Sequence, residues 1–457
     1  MTRDRDHRRK PAKKPGKKPG KKGVGIPAEG IDREALDRDA SRVVTRLQRQ
    51  GHEAYFVGGC VRDLMIGRDP KDFDVATSAH PHEVRRLFRN GRIIGRRFRL
   101  VHIYYGDNII ETSTFRREPE SLNGNGDEED LLIVEDNEYG TAAEDARRRD
   151  FTVNALFFDP TTHTIHDHVS GLADLEARLL RTIGDPQVRL AEDPVRIMRA
   201  VKFATRLDFR IEERTWRAMS EQARQLARSA PPRVLEEVLR LMRSGTSLGA
   251  FRMLRACGAL DAILPQLARF LNARSDANSA HASRIEHFWR LLEALDSGVH
   301  DGREPTTALC IAVLFNDIIE RESDPEERTL RGSPGDIAAV CREVIEPLSI
   351  ATRLARRDFG RAQRIIDLQP QFTQTSSRNF SRKLFTRKDE FAEAFALFAL
   401  RVEARGQGWD IVQAWSDVAE RAEKMSAEEI ETERRRTRRR RRKRKRRKPR
   451  AQRGPEA

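Results

Sequence analysis

The spacing of hydrophobic and polar positions changes character once along this chain. Between about Ile31 and Asp167 short apolar runs alternate with helical stretches, and the strand candidates are Asp72–Thr77, Arg99–Tyr105, Asn108–Phe115 and Val153–Asp159. From Gly171 to about Glu423 apolar residues recur at helical spacing, as in Arg233–Arg243, Ile285–Leu295 and Ala308–Ile319. Strands first and helices afterwards predict an α+β head followed by an all-α neck and body. The acidic, Gly/Asn-rich stretch Glu118–Thr141 reads as a mobile loop.

Within the head, Tyr55–Thr77 (YFVGGCVRDLMIGRDPKDFDVAT) carries the densest chemistry. The run Tyr55–Val57 is broken by Gly58 and Gly59, and a helix is predicted from Cys60. Two glycines at a helix start let the backbone approach an anion such as a triphosphate closely. Arg62, one turn in, is placed to add a charge-assisted bond to phosphate oxygens. After the Gly67–Pro70 turn, Asp72 and Asp74 flank Phe73 on a predicted strand, so both carboxylates share one face while Phe73 turns to the core. Such a pair suits Mg²⁺, a hard cation that takes carboxylate and phosphate oxygens together.

Charge changes the picture at the ends. Residues 1–22 carry +9 and residues 434–457 carry +15 against +16 for all 457 residues, so residues 23–433 carry −8. The KKPG repeat (Lys13–Gly20) and the Arg438–Arg450 run are like-charge blocks that stay disordered and bind polyanions with strong salt dependence. Four well-separated cysteines (Cys60, Cys257, Cys310, Cys341) without CxxC spacing exclude a disulfide framework or structural zinc and point to a reducing compartment. No apolar segment follows the basic N-terminus as a secretory signal would require. The greasiest stretch, Phe391–Leu400, contains Glu393 and is too short to span a bilayer. The expectation is a cytoplasmic protein without a membrane span.

Three further segments bear on function. RRRDFTVNAL (Arg147–Leu156) places Asp150 before a strand with Arg148 and Arg149 alongside, and Asp150 is a candidate third carboxylate for a two-metal site. Glu111, in IIETSTFRRE, is its rival. The stretch Glu192–Leu207 predicts one helix capped by Asp193, with Pro194 in its first turn and Arg196, Arg199 and Lys202 at three-residue intervals. A carboxylate beside an arginine can read the amino-plus-acceptor edge that adenine and cytosine share. Ile93–Ile103 (IIGRRFRLVHI) reads as a strand preceded by a basic turn.

The ordered motifs GGCVRD, KDFDVAT, ETSTFRRE, RRRDFTVNAL, GLADL and EDPVRIMRAVKF resemble the class II tRNA nucleotidyltransferase and bacterial poly(A) polymerase family, from Ala54 to about Pro265. That resemblance implies a nucleotidyltransferase, polymerase-β-like mixed-sheet head on a helical neck and body. It implies Asp72 and Asp74 as metal ligands with Asp150 joining the active site. Gly59 and Arg62 would hold the triphosphate, with Gly58 and Arg149 counted beside them, while Asp193, Arg196 and Arg199 template the base; Lys202 stands where many relatives have arginine. The boundaries follow as a basic tail (1–33), head (34–170), neck (171–265), body (266–424) and Arg/Lys-rich tail (425–457). GRRFRLVHI and the basic C-terminus are similar to the poly(A) polymerase branch, which implies adenylyl transfer from ATP to RNA 3′ ends with Mg²⁺. Addition of CCA to tRNA and an inactive RNA-binding scaffold are the alternatives. RNA-decay or ribosome-associated proteins are candidate partners of the tails.

Overall fold

The computed structural model describes residues 25–95, 99–117, 138–273, 279–324, 326, 337–373 and 380–447. The KKPG repeat, the centre of the acidic loop and the last ten residues lie outside them. Its described residues form two compact units, one within 25–117 and 138–175 and the other from 176 onward. The neck and body of the sequence reading therefore share one unit.

The head is built on an eight-stranded mixed sheet ordered β1-β8-β7-β2-β3-β6-β5-β4. Its elements are β1 (Ile26–Pro27), α1 (Arg38–Arg49), β2 (Ala54–Val57), α2 (Gly59–Met65), β3 (Asp74–Thr77), α3 (Pro81–Leu87), β4 (Gly91–Ile94), β5 (Leu100–Tyr105), β6 (Asn108–Thr114), α4 (Ala142–Arg148), β7 (Leu156–Asp159), β8 (Thr164–Asp167) and α5 (Gly171–Glu176). Only β3 and β6 pair in parallel; every other neighbour is antiparallel. Apolar residues Phe56, Val75, Val101, Ile103, Ile110, Phe157 and Phe158 are fully buried in this unit. α1 starts where the Asp37 carboxylate accepts the Ala40 amide, and it buries Ala40, Val43, Val44 and Leu47.

Several boundaries depart from the sequence reading for identifiable reasons. β3 begins at Asp74, so Asp72 and Phe73 lie just before the strand, and half-buried Phe73 meets Phe56 edge-on at 5.3 Å. The predicted Val153–Asp159 strand is a 3-10 turn (Thr152–Asn154) followed by β7, so Asp150 precedes a turn rather than a strand. Ile93–Ile103 divides into the arms of a hairpin, with Ile94 opposite Leu100; Arg96–Phe98 lie outside the described residues.

The second unit opens with β9 (Leu179–Leu180), α6 (Pro186–Glu192), α7 (Val195–Leu207), β10 (Arg210–Ile211), α8 (Glu213–Gln222) and α9 (Pro231–Met242). The predicted single helix Glu192–Leu207 is thus broken between α6 and α7. Pro194 lacks an amide hydrogen and pushes the preceding residue out of helical geometry, and Asp193 sits at φ −144°, ψ 88°. Asp193 is not the cap of α7; Pro194 occupies that position and provides no side-chain bond. Farther on, the Asp296 carboxylate accepts the Ser247 and Leu248 amides (2.7 and 2.9 Å) at the start of helix Ser247–Ala256. An aromatic cluster around Phe372 joins Phe385, Phe391, Phe398 and Trp415.

The reading of Arg434 onward as unstructured is narrowed, because a helix runs from Ala427 to Arg447. It is started by a reciprocal Ser426–Glu429 cap and supported by the Glu431–Arg435 pair one turn later. Among the described residues no helix is long and apolar enough to cross a membrane.

Candidate active site

β2 ends at Val57, and the chain turns into α2 at Gly58, whose φ of +78° only glycine adopts without strain. A Cβ at Gly58 would lie 3.2 Å from Arg149 Nη1 and 4.0 Å from Asp74 Oδ2, so the missing side chain leaves room beside that cation and that carboxylate. Asp74 opposes Val57 on β2, and on its other side β3 pairs in parallel with β6 from Val75 and Thr112 onward. This register sets Glu111 beside Asp74 at the start of the ladder. Glu111 in turn opposes His102 on β5, whose Nε2 is 3.3 Å from its carboxylate.

Burial, then the charge of Glu111 and that of Asp72, push the Asp74 carboxyl up to about 6, with Arg149 acting in the opposite sense. Glu111 and Asp72 thus lie close enough to act on the charge of Asp74, and Arg149 offsets them. Among the described residues no three His, Cys, Asp or Glu side chains close into a ligand cage. That open arrangement fits Mg²⁺, which binds through one or two carboxylates and takes its remaining ligands from phosphates and water.

Asp150 occupies a different setting. Its Oδ1 accepts the Phe151 amide (2.9 Å) and the Asn154 side-chain amide (3.3 Å). Asn154 Oδ1 accepts from Arg62 Nη1 (2.5 Å), and Asp63 Oδ1 holds Arg62 through Nε and Nη2 (2.8 and 2.6 Å). Arg62, which the sequence reading aimed at phosphate, is fully buried in this network under Gly59, where a Cβ would lie 3.6 Å from its Nη2. Arg149 pairs with Asp145 (3.1 Å) and lies over the Phe157 ring. Gly171 of the GLADL motif packs against the turn after Asp150, since a Cβ there would fall 2.3 Å from the Thr152 carbonyl oxygen, and Asp174 accepts the Thr152 hydroxyl (2.7 Å). Cys60 is buried beside Asp74; burial and that carboxylate push its thiol up to about 12, which leaves it inert at neutral pH.

In the second unit the predicted base-reading residues are each engaged by neighbouring side chains or backbone. Arg233 of α9 makes two parallel bonds to Asp193 (2.9 and 2.7 Å). Arg196 is buried, donates to the Arg189 carbonyl (2.6 Å) and pairs with Glu192 (3.2 Å). The Arg199 guanidinium lies 5.9 Å from the Phe203 ring centroid, and Lys202 pairs with Glu237 (3.2 Å). Burial lowers the Lys202 pKa, with Glu237 opposing. The sequence reading missed Asn154, Asp63, His102 and Arg233. Asn154 stood inside the RRRDFTVNAL motif, four residues after Asp150; the role of Arg233, forty residues from Asp193, had no local signal.

Three family models match the chain: the poly A polymerase head domain over residues 54–181, a probable RNA and SrmB-binding site of polymerase A over 208–271, and the polymerase A arginine-rich C-terminus over 336–449. Poly(A) polymerase I of Haemophilus influenzae is 35% identical over 382 residues, 81% of this chain and 82% of its own. The chain belongs to the poly(A) polymerase family. A CCA-adding enzyme of Oceanobacillus iheyensis is 38% identical, but over only 45% of this chain and 49% of its own. The fold is that of the Bacillus stearothermophilus CCA-adding enzyme solved with CTP, at a TM-score of 0.61 and 23% identity over 83% of this chain and 81% of that one. As a member of the poly(A) polymerase family the chain is a nucleotidyltransferase, and the extent of the likeness supports poly(A) addition over CCA addition.

Proposed function

We propose that this enzyme extends RNA 3′ ends with adenylate from ATP, without a template, and that Asp72, Asp74 and Glu111 form its metal-holding row. The observation that supports the site assignment is the β3–β6 register, which sets Glu111 beside Asp74 two residues after Asp72, with burial and these charges pushing the Asp74 carboxyl up. Mg²⁺ bound there would lower the pKa of the RNA 3′-hydroxyl and neutralise the phosphates of ATP.

The remaining work falls to the chain's own groups. Gly58 leaves space for the triphosphate beside Arg149, whose guanidinium offsets charge on the same side. The network of Asp63, Arg62 and Asn154 holds Asp150 in one orientation at the edge of the site. Asp193, Arg196 and Arg199 select the incoming base, with Arg233 orienting the Asp193 carboxylate. The RNA 3′ oxygen bonds to the α-phosphorus, the bond from that phosphorus to the bridging oxygen breaks, and pyrophosphate leaves. Positioning and electrostatics account for the rate. The four buried thiols suit a cytoplasmic location.

The test is extension of two labelled RNAs with Mg²⁺ and each NTP supplied separately. A long ladder on a generic oligonucleotide with ATP alone is the expected result. Addition of two C and one A confined to a tRNA lacking its CCA end would replace this reading with CCA synthesis. Silence on both RNAs would leave an RNA-binding scaffold.

A further inference from the structure

α1 and the segment before it carry arginines at positions 33, 38, 42, 46 and 49, and all five line one groove of about 960 Å³ on the head. Among the described residues no Asp or Glu lines that groove. Residues 23–433 carry net negative charge, so five arginines lining one groove, of which only Arg42 pairs with a carboxylate among the described residues, are a marked local inversion. Arg38, Arg42, Arg46 and Arg49 fall within an arc of about 80° on the helix, and successive members rise by roughly 4.5–6 Å. That rise is of the same order as the separation of phosphates along an extended single strand, which a basic groove tracks.

The aspartates at the start of α1 do not neutralise this face. Asp37 accepts the Ala40 amide, and both Asp37 and Asp39 face the Asn108 side chain. Asp39 also pairs with Arg42 (2.9 Å), an exposed i,i+3 pair of the kind worth little. The Arg46 guanidinium lies 5.1 Å from the Phe88 ring centroid, a contact that orients its head while the residue stays exposed. Among the described residues Arg33, Arg38 and Arg49 have no ion-pair partner. The matched head domain begins at residue 54, downstream of α1.

We propose that the arginine face of α1 is an RNA-backbone site on the head, which holds a single-stranded segment of the substrate through its phosphates. The inference rests on the reading of RNA as the substrate. Its occupant is a polyanion, which excludes the chain's own basic tails; an acidic protein is the competing occupant that the test must separate.

The experiment compares full-length wild type with the triple variants Arg38→Ala/Arg42→Ala/Arg49→Ala and Arg38→Lys/Arg42→Lys/Arg49→Lys. Binding of an oligoadenylate of roughly 20 nucleotides is measured across salt, and ATP incorporation by the wild type is measured alongside. The alanine variant is expected to bind at least about tenfold more weakly at low salt, with the slope of log K against log salt shallower by about 2, or roughly 0.7 per lost contact. The lysine variant, which keeps the charges, should restore the slope. An unchanged slope in the alanine variant overturns the site and leaves an acidic protein as the ligand. A lysine variant as impaired as the alanine one also overturns it, because the arginines would then act on the fold. Wild type that binds RNA but incorporates no ATP would sink the functional reading instead.

Discussion

Glu111 stands beside Asp74 at the start of the parallel β3–β6 ladder, and its charge adds to burial in raising the Asp74 carboxyl to about 6. Asp150 is engaged instead by the Phe151 amide and by Asn154, which Arg62 in turn contacts. The two candidates for third carboxylate are therefore distinguishable by experiment. Glu111→Gln and Asp72→Ala should each lower incorporation by on the order of 10²–10³-fold, the scale of losing one preorganised electrostatic group. RNA affinity should be retained in both. Near-normal turnover by Asp72→Ala would remove the metal row from the mechanism.

The Asp74 proton gives a second handle. Its pKa in the fold, about 6, exceeds the ordinary value of 3.8, so the native state holds this proton more tightly than the unfolded chain. Ionising Asp74 therefore costs native stability as pH rises from about 4 to 6, and the cost persists above that window. In metal-free protein, Glu111→Gln should move the Asp74 midpoint below 6 without restoring 3.8, because burial remains. Carboxyl-carbon NMR titration reads this directly, and an unmoved midpoint would show that Glu111 does not act on Asp74.

Removing Arg233 tests how Asp193 is oriented. The Arg233 side chain is about half exposed, so Arg233→Ala should cost no more than about 1 kcal/mol of stability. Discrimination of ATP against the other nucleotides should fall by about 10–100-fold, the value of one bidentate base-edge recognition. Competition kinetics with paired NTPs measures the ratio, and an unaltered ratio would confine Arg233 to a structural role.

The aromatic cluster of the second unit should behave as ordinary core. Phe372 is fully buried, stacks on Phe398 at 4.7 Å, and its carbonyl accepts the Trp415 indole N–H (3.0 Å). Phe372→Ala is expected to destabilise this unit by about 3–5 kcal/mol. Tryptophan fluorescence during urea unfolding follows the change, and a loss below about 1 kcal/mol would mean that the cluster repacks.

Deleting residues 434–457 removes a net +15. RNA affinity should drop and its salt slope should flatten, with turnover preserved at saturating RNA. A slope that survives the deletion would show that the tail does not contact phosphates.

Much of this protein could be read from residues in order, because its informative signals are local. Gly58 and Gly59 after a short apolar run announced the turn into α2, and DFD announced paired carboxylates at the edge of a strand. Periodicity separated the sheet-bearing head from the helical remainder. The Asp193–Pro194 break in the base-reading segment was legible in principle, since proline carries its own steric rule, but the helical pattern on either side concealed it. Tertiary structure alone decided the partnerships. Sheet register set Glu111 beside Asp74, and a two-stranded ladder cannot be placed from one strand's sequence. Burial turned Arg62 toward Asp63 and Asn154, because a guanidinium withdrawn from water must find acceptors wherever the fold supplies them. Local sequence thus determined which groups this enzyme carries, and long-range packing determined which of them meet.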